Sequence, residues 1–456
     1  MGHSPAVPQH GADDRRPWRS EDPIRTERLP PLNGNLWAAT AGEAPPRTAV
    51  GSADEADTVV VGGGVTGLSA ALHLSERGQR VTLIEAGDLA GGATGRSSGQ
   101  VLPGLKAPPS ALEGRLSAAA AARLAAWSGG GPDLVFDLVA RWNIDCAAVR
   151  AGAVQAAATA RGMRTLCRWA QEWRDLGAPV RVIDRDEAVV LLGTPAYRGG
   201  VVDARGGSIH PLNYAWGLAR AATALGARLC LRTTASALHR SRDGWRVETD
   251  GGDVRSASVV VATNAYSGSL IPGLHRSVVA LRASQVASRP LPEGMRTAIL
   301  PQRHVASDRR RALISFRISP CGRLILGGPG GTRGLRGPAL HRAARRTGRA
   351  LFGHLDAVEW EYGWSGHVAI TRDSLPHLHE PERGLHVALG YNGEGLALGT
   401  ALGKLVAERV CGRSAESMDV AVTPIRRIPL HGVVGKAIAL GERILPIVDR
   451  IEQRLT

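Results

Sequence analysis

Three glycines and one acid between Asp57 and Lys106 have the types and spacing needed to bind a nucleotide. Gly62, Gly64 and Gly67 fall in the turn Gly62-Gly63-Gly64-Val65-Thr66-Gly67, and Glu85 follows 18 residues after the last of them. In such a turn the first glycine allows a tight bend, the second lets the backbone approach a pyrophosphate, and the third lets a helix pack against a strand. The acid accepts hydrogen bonds from ribose hydroxyls. Glycine-rich turns also serve as plain connections, so the context decides. Here the β-branched run Thr58 to Val61 enters the turn, an amphipathic segment from Leu68 to Arg77 leaves it, and the apolar run Val81 to Ile84 ends on Glu85. That order of strand, turn, helix, strand and acid is a dinucleotide-binding βαβ unit.

Two further small-residue runs add to it. Gly91-Gly92-Ala93-Thr94-Gly95-Arg96-Ser97-Ser98-Gly99-Gln100 lets backbone amides close on a second large planar group. Near the carboxyl end, the strand-like Leu385 to Leu389 leads through Gly390-Tyr391-Asn392-Gly393-Glu394-Gly395 into an amphipathic helix, Leu396 to Cys411. A helix N-terminus presents unpaired amides and stabilises negative charge by roughly 0.3 to 2 kcal/mol.

The elements that must position these runs follow from hydrophobic periodicity. Residues 1–32 are rich in Pro, Arg, Asp and His without periodicity and read as disordered. Residues 33–54 read as an extended arm anchored by Trp37. Helical spacing appears at Ser117 to Trp127, Pro132 to Trp142, Thr159 to Leu176 and Asn213 to Leu225. Strands are expected at Gly199 to Arg205, Arg228 to Thr234, Trp245 to Thr249 and Ser256 to Val261. The last of these returns to the nucleotide-binding sheet and exits through Ala262-Thr263-Asn264-Ala265. From about 271 the pattern changes. Val278 to Ser288, Thr297 to Leu300, Ala312 to Ile318 and Arg323 to Gly328, separated by Pro/Gly-rich turns, predict an antiparallel sheet. The tail from His431 to Thr456 carries apolar residues at roughly helical spacing, interrupted by Pro446, and reads as an amphipathic helix docked on the protein's own surface.

Composition narrows the function. The 456 residues are enough for a large two-domain enzyme. The net charge of +15 raises nucleic acid or an acidic membrane as partners. The lysines number three (Lys106, Lys404, Lys436), and the arginines are scattered. The densest clusters, Arg309-Arg310-Arg311 and Arg342 to Arg349, are not interleaved with aromatics as a strand-binding surface would be. The basicity is therefore compositional and no nucleic-acid partner is expected. Five cysteines, far apart and without a CxxC, argue for a reducing compartment and against a metal site or disulfide framework. No apolar run is long enough for a transmembrane segment, which points to a cytoplasmic protein.

With these runs stand Gly199 to Ala222 (GGVVDARGGSIHPLNYAWGLARAA), Val259 to Ser267 (VVVATNAYS) and Trp364 to Leu378 (WSGHVAITRDSLPHL). Together they make the chain resemble, from about 33 to 430, the FAD-dependent amine and amino-acid oxidase superfamily that includes D-amino-acid oxidase, sarcosine oxidase and glycine oxidase. Within it, the chain is most similar to the oxidoreductases related to gamma-glutamylputrescine oxidase. The resemblance implies an α/β fold: a Rossmann-type FAD-binding domain (55–140, 206–270 and 372–412) interleaved with an antiparallel β-sheet (α+β) substrate domain (141–205 and 271–371), before a tail at 413–456. It implies oxidation of a C–N bond of a small-molecule amine or amino acid, a polyamine derivative among the candidates. A hydride equivalent passes to flavin N5, the imine is hydrolysed, and oxygen or another electron acceptor reoxidises the flavin, with peroxide released in the first case. A dehydrogenase of the same fold serving a quinone or carrier protein, and a non-catalytic flavoprotein electron-transfer subunit, stay open as alternatives.

Carried over by motif, the cofactor-binding residues are Gly62, Gly64, Val65, Thr66, Gly67, Glu85 and Ala86 for the ADP half. Gly95, Arg96, Ser97, Ser98, Gly99, Trp364, Gly366, Asn392, Gly393 and Gly395 would surround the ring system, with Ala235, Ala262 and Thr263 contributing from the sheet. Arg96, Lys106 and Arg317 are the expected catalytic cations: Arg96 for polarity at the flavin or substrate, Lys106 to promote oxygen reduction, Arg317 to hold a substrate carboxylate. His210, before Pro211, reads as a structural cap. Two departures matter. Ile314 stands about where some relatives place a flavin-linking cysteine, so FAD is expected to be non-covalent. Glu394 occupies a position where relatives often carry a basic or aromatic residue, and a carboxylate there would oppose negative charge on the reduced ring.

Overall fold

The run Thr58 to Val61 lies in the strand Asp54–Val61, at the centre of five parallel strands. Across the sheet these are Arg228–Leu231, Val81–Glu85, Asp54–Val61, Gly252–Val261 and Leu385–Leu389. Val59, Val60, Leu83, Val259 and Leu385 are wholly buried, because helices and the second sheet's flank leave neither face to solvent; this is why the strands read as unbroken apolar runs. The computed structural model describes residues 18–19, 32, 34–51, 54–310, 312–328, 337–353, 355, 358–434 and 437.

The strand Gly252–Val261 has two neighbours on one side. Its second half pairs in parallel with Leu385–Leu389, while its first half pairs antiparallel with Gly244–Thr249, which continues into Ala235–Ser241. Trp18–Arg19 closes that ribbon as an edge strand, in register with Leu238 and Ala237. This corrects the reading of 1–32 as wholly disordered at that point; the rest of the expectation, Leu32 apart, falls outside the described residues. The helix Val65–Ser75 packs on the sheet with every residue buried, held between Pro211–Ala224 and Gly395–Val410. Two glycines let the last of these come close: a Cβ at Gly403 would lie 2.4 Å from the Thr66 carbonyl oxygen, and one at Gly399 would lie 2.9 Å from Thr66 Oγ1.

A second sheet of eight strands runs Trp360–Thr371, Val278–Pro290, Arg323–Gly327, Ser315–Ile318, Val305–Asp308, Ala153–Ala156, Gly200–Asp203 and Val180–Ile183. Its segments 141–205 and 271–371 meet at Val305–Asp308 and Ala153–Ala156, which pair in parallel, so the expected antiparallel sheet is mixed at that one seam. The expected strand at Thr297 to Leu300 is instead the end of a helix, Glu293–Ala298, followed by the buried Ile299 and Leu300. Their apolar character serves core contact rather than pairing. The arginine cluster at 342–349 belongs to the helix Gly337–Phe352, whose Leu340, Ala343, Ala344, Thr347 and Leu351 form its buried stripe. The arm also differs from its extended expectation: Leu36–Thr40 is a short helix, capped by Asn35 Oδ1 accepting from the Ala38 amide at 2.7 Å. Of the amphipathic tail, 431–434 and 437 are helical and the remainder lies outside the described residues.

Gly403 and Gly348 should respond in opposite directions to the same added methyl. Gly403→Ala forces the two helices apart and should cost about 1–3 kcal/mol by overpacking. At Gly348 the nearest atoms lie at 3.4 Å, an ordinary contact, so Gly348→Ala should gain up to about 1 kcal/mol of helix propensity. Urea midpoints at unchanged slope check both signs.

Candidate functional site

A cavity of about 1420 Å³ lies where the carboxyl ends of the parallel strands face the second sheet. It exceeds the roughly 300–1,000 Å³ of a pocket for one small ligand, so it has room for a dinucleotide and a second molecule. Two helices start on its wall, Val65–Ser75 after Gly64 and Gly395–Val410 after Glu394; neither N-cap residue bonds a first amide through its side chain, and of the first helix's amides Val65 N–H is taken by Thr94 Oγ1. Both therefore offer unpaired N–H groups and a positive dipole end to the same space. Thr66 Oγ1 and Tyr391 Oη, 2.6 Å apart, tie the two ends together.

The glycines of the first turn answer to different demands. Gly62 has φ of +111°, and a Cβ there would lie 2.9 Å from the Ala262 carbonyl oxygen. At Gly67 a Cβ would lie 1.9 Å from the Gly62 oxygen. The protein itself requires both. Gly64 is different: its φ of −81° and ψ of 179° suit any residue, and the one atom a Cβ there would meet is Thr94 Oγ1 at 3.4 Å. Nothing in the fold forbids a side chain at Gly64, which opens on the cavity. The glycine leaves the backbone there open to close approach from the cavity, which is what a phosphate needs.

Glu85 lies at the end of the second parallel strand. Its two carboxylate oxygens accept from the amides of Gly63 at 2.7 Å and Gly87 at 2.8 Å. Burial raises its pKa from the usual carboxylate value, and those two amides draw it back down. A carboxylate has about four lone-pair sites, so hydroxyls can still bond to it. Ala86, Ala235, Ala262 and Thr263 line the same end.

The run Gly95 to Gly99 passes along the cavity with four of its carbonyls held from behind. Asn35 Nδ2 donates to Gly95 O at 3.0 Å, Trp364 Nε1 to Arg96 O at 2.9 Å, Trp37 Nε1 to Ser97 O at 2.8 Å and Arg317 Nη1 to Gly99 O at 2.7 Å. Trp37 packs edge-on against Trp364, with ring centres 6.2 Å apart. Val65 N–H donates to Thr94 Oγ1 at 3.0 Å, fixing the run to the first helix. Val65, Thr66, Arg96, Ser97 and Ser98 line the cavity, as do Gly366, Asn392, Gly393 and Gly395. Gly67, Gly95, Gly99 and Trp364 do not; they lie behind the wall and shape it.

The three expected catalytic cations separate. Arg96 is buried in the wall, its Nε donating to Gly91 O at 2.9 Å, and burial lowers its pKa. Lys106 also lines the cavity, with Nζ 2.7 Å from Glu394 Oε1. Arg317 does not reach the cavity, which corrects its assignment to a substrate carboxylate. It is fully buried, donates to Gly99 O and also to Ile209 O at 3.0 Å, and lies 5.1 Å from the Trp37 ring centre. His210 is the N-cap of Pro211–Ala224, accepting from Asn213 N–H at 3.1 Å.

Sequence reasoning did not single out Tyr266, Arg282, Gln285 or His367, all of which line the wall on the second sheet's side. Tyr266 Oη accepts from the His367 amide at 3.0 Å, and Arg282 Nε and Nη2 donate to Ser365 Oγ at 2.9 and 2.7 Å. Tyr266 was within reach of sequence reasoning: it follows the exit of the strand Gly252–Val261, where ligands of doubly wound sheets bind. Arg282 and Gln285 sit on a long strand whose alternation gives no sign of a cavity. None of the five cysteines, all in the described residues, lines it.

A family model described as DAO, FAD dependent oxidoreductase, matches residues 57–409. The gamma-glutamylputrescine oxidoreductase of Escherichia coli (strain K12) is 28% identical over 388 residues, covering 84% of this chain and 90% of that protein. The glycine oxidase of Geobacillus kaustophilus (strain HTA426) is 29% identical over 381 residues, covering 81% and 97%. Among solved structures, glycine oxidase from Geobacillus kaustophilus superposes with a TM-score of 0.66 at 26% identity, over 82% of this chain and all of that one. An L-amino acid deaminase from Proteus vulgaris shares the fold, with a TM-score of 0.68 at 21% identity over 84% and 94%.

Trp37→Phe keeps most of the buried ring but leaves Ser97 O without its donor. It should destabilise the protein by about 1–3 kcal/mol and loosen the cavity wall. Chemical unfolding and the flavin content retained through gel filtration measure the two effects; no change in either would show that the arm does not hold the run.

Proposed function

The chain belongs to the FAD dependent oxidoreductase family, and we propose that it oxidises the C–N bond of a small amine or amino acid with oxygen as the final acceptor. The relatives named for gamma-glutamylputrescine and for glycine support an amine donor. The observation that carries the cofactor's placement is Gly64, a glycine that no contact within the protein requires, at the start of Val65–Ser75.

In this reading Gly62, Gly64, Val65 and Thr66 form the pyrophosphate cradle, shaped from behind by Gly67, with Glu85, Ala86 and Ala235 at the adenosine end. The wall made by Arg96, Ser97, Ser98, Gly366, Asn392, Gly393 and Gly395 holds the ring system, supported from behind by Gly95, Gly99 and Trp364. FAD is retained without a covalent link. When bound, it accepts two electrons from the carbon bearing nitrogen and passes them to oxygen, giving peroxide and an imine that water hydrolyses. The protein's part is placement and charge. The amides at the start of Gly395–Val410 favour negative charge at the ring. Glu394, which alone would oppose that charge, is paired with the Lys106 ammonium at 2.7 Å. The pair is close to neutral, so the acid is no obstacle to the oxygen reaction. Arg282, Gln285 and His367 face the donor from the second sheet, and Tyr266 from the turn after Gly252–Val261. A substrate arriving as the neutral amine needs no strong base from the protein.

Purified holoenzyme mixed anaerobically with a panel of amines and amino acids should lose its flavin absorbance with at least one of them. Under air the same donor should yield peroxide equimolar with the amine consumed. Bleaching without peroxide would assign another acceptor, and no bleaching across the panel would remove the catalytic reading. Gly64→Val supplies an independent check: the variant should fold, with an apoprotein melting temperature close to that of wild-type apoprotein, yet emerge colourless and fail to take up added FAD.

A further inference from the structure

Arg317 is a fully buried cation whose hydrogen bonds do not account for its charge. It shares a face of the strand Ser315–Ile318 with Ser315, which lines the cavity, while Phe316 between them turns into the core of the second sheet. That face brings the guanidinium against the back of Gly99: a Cβ there would lie 3.0 Å from Nη1 and 3.2 Å from Cζ. Ser98 and Gln100, on either side of Gly99, line the cavity, so the charge stands one residue's thickness behind the wall. Nη1 donates to both Gly99 O and Ile209 O, and Nε is buried with no acceptor. Gly99 O is also served by the Ile209 amide at 2.9 Å. A neutral amide side chain could supply two N–H donors at far smaller desolvation cost. The charged groups that bear on Arg317 are Arg303 and the Cys321 thiol, and no carboxylate among the described residues pairs with it. Burial brings its pKa down to about 9, which leaves it cationic at neutral pH. Burial and Arg317 together hold the His210 imidazole down to about 4, so that neighbour adds no charge.

We propose that Arg317 acts through its charge as well as its bonds: a positioning residue for the run Gly95 to Gly99, it also raises the reduction potential of the flavin ring that the run holds. This deepens the C–N oxidation reading and rests on the ring lying against that wall. Two-electron reduction of a flavin at neutral pH adds net negative charge, and charge placed near the ring is one means by which a protein sets its potential. A cation with no partner acid inside the protein gains a partner when that charge appears. The low dielectric of the interior keeps the attraction strong across the wall. Other cations of the wall are differently placed. Lys106 is neutralised by Glu394, Arg96 gives Nε to Gly91 O, and Arg282 is turned onto Ser365 Oγ. A ring that is easier to reduce draws electrons from the donor's carbon more readily, so the charge serves the half-reaction in which the amine is oxidised.

The test measures the two-electron reduction equilibrium of FAD-loaded protein against a reference dye, anaerobically at neutral pH, for wild type, Arg317→Gln, Arg317→Met and Arg317→Lys, with free FAD beside them. Wild type should be easier to reduce than free FAD. Arg317→Gln keeps a donor and loses the charge; it and Arg317→Met should lower the reduction equilibrium constant at least about tenfold, which is about 30 mV for a two-electron couple. Arg317→Lys keeps the charge and should stay within about threefold of wild type. In the neutral variants the limiting rate of anaerobic bleaching by an amine should fall, while the amine concentration giving half that rate stays unchanged. The comparison of wild type with free FAD needs no variant, so the idea stays testable if substitution at 317 prevents folding. Wild type no easier to reduce than free FAD, Gln and Met variants with the wild-type potential, or a Lys variant that falls as far as Met would each overturn the tuning role while leaving C–N oxidation standing. Protein that binds no FAD would instead overturn the flavin reading, and this inference with it.

Discussion

Buried carbonyl oxygens must find donors, and the run Gly95 to Gly99 shows what that requirement does to a fold. Its carbonyls turn away from the cavity and would be unsatisfied on a bare loop. Asn35 and Trp37 reach two of them from 60 residues upstream, Arg317 one from 218 residues away, and Trp364 one from 268. The short helix Leu36–Thr40, the second-sheet strands Ser315–Ile318 and Trp360–Thr371, and the run itself are thereby fixed to one another. The wall of the cavity is the place where these elements agree. Burying the Arg317 guanidinium without a carboxylate is costly in general; here two carbonyls and the face of Trp37 take the place of a counterion.

That interaction also marks the limit of what the sequence discloses. The first βαβ unit was legible because every constraint on it is local: Gly62 must turn, Gly67 must admit a helix, and both answer to atoms within a few residues or on the neighbouring strand. The strand Leu385–Leu389 was legible for a related reason, being buried along its whole length with Leu385, Val387, Ala388 and Leu389 apolar. Thr297 to Leu300 misled because apolar residues in a short run do not say whether they pair or merely fill. Ile299 and Leu300 fill the core beneath the second sheet. In the helix Gly337–Phe352 the arginines drew attention to charge, while the buried stripe Leu340, Ala343, Ala344, Thr347 and Leu351 carried the helical period all along.

For the site, residue type was legible and direction was not. Arg317 has the chemistry to clamp a carboxylate, yet it lies on a strand whose four residues are all buried, so alternation could not tell which face it served. Trp37 was recognised as an anchor, but its indole N–H bond to a carbonyl 60 residues away has no sequence signature. Glu394 read as a liability because its neighbour along the chain is a helix and its neighbour in space, Lys106, is 288 positions earlier. Only the fold brings the two together.

The arrangement of charge around the cavity follows a division of labour. What the cavity presents to negative charge is mostly backbone: the amide ends of Val65–Ser75 and Gly395–Val410 open on it, with Thr94 Oγ1 taking the Val65 amide. The wall arginines are drawn toward the protein, Arg96 onto Gly91 O and Arg282 onto Ser365 Oγ. Helix dipoles cannot titrate, need no counterion and do not move, so they hold an anion without filling the space with side chains. The high net charge of the chain is thus not what the cavity uses. Among the described lining residues, Ser284 Oγ, Gln285 Oε1 and Glu394 Oε2 are buried without a hydrogen-bond partner, two of them on the second sheet's strand Val278–Pro290.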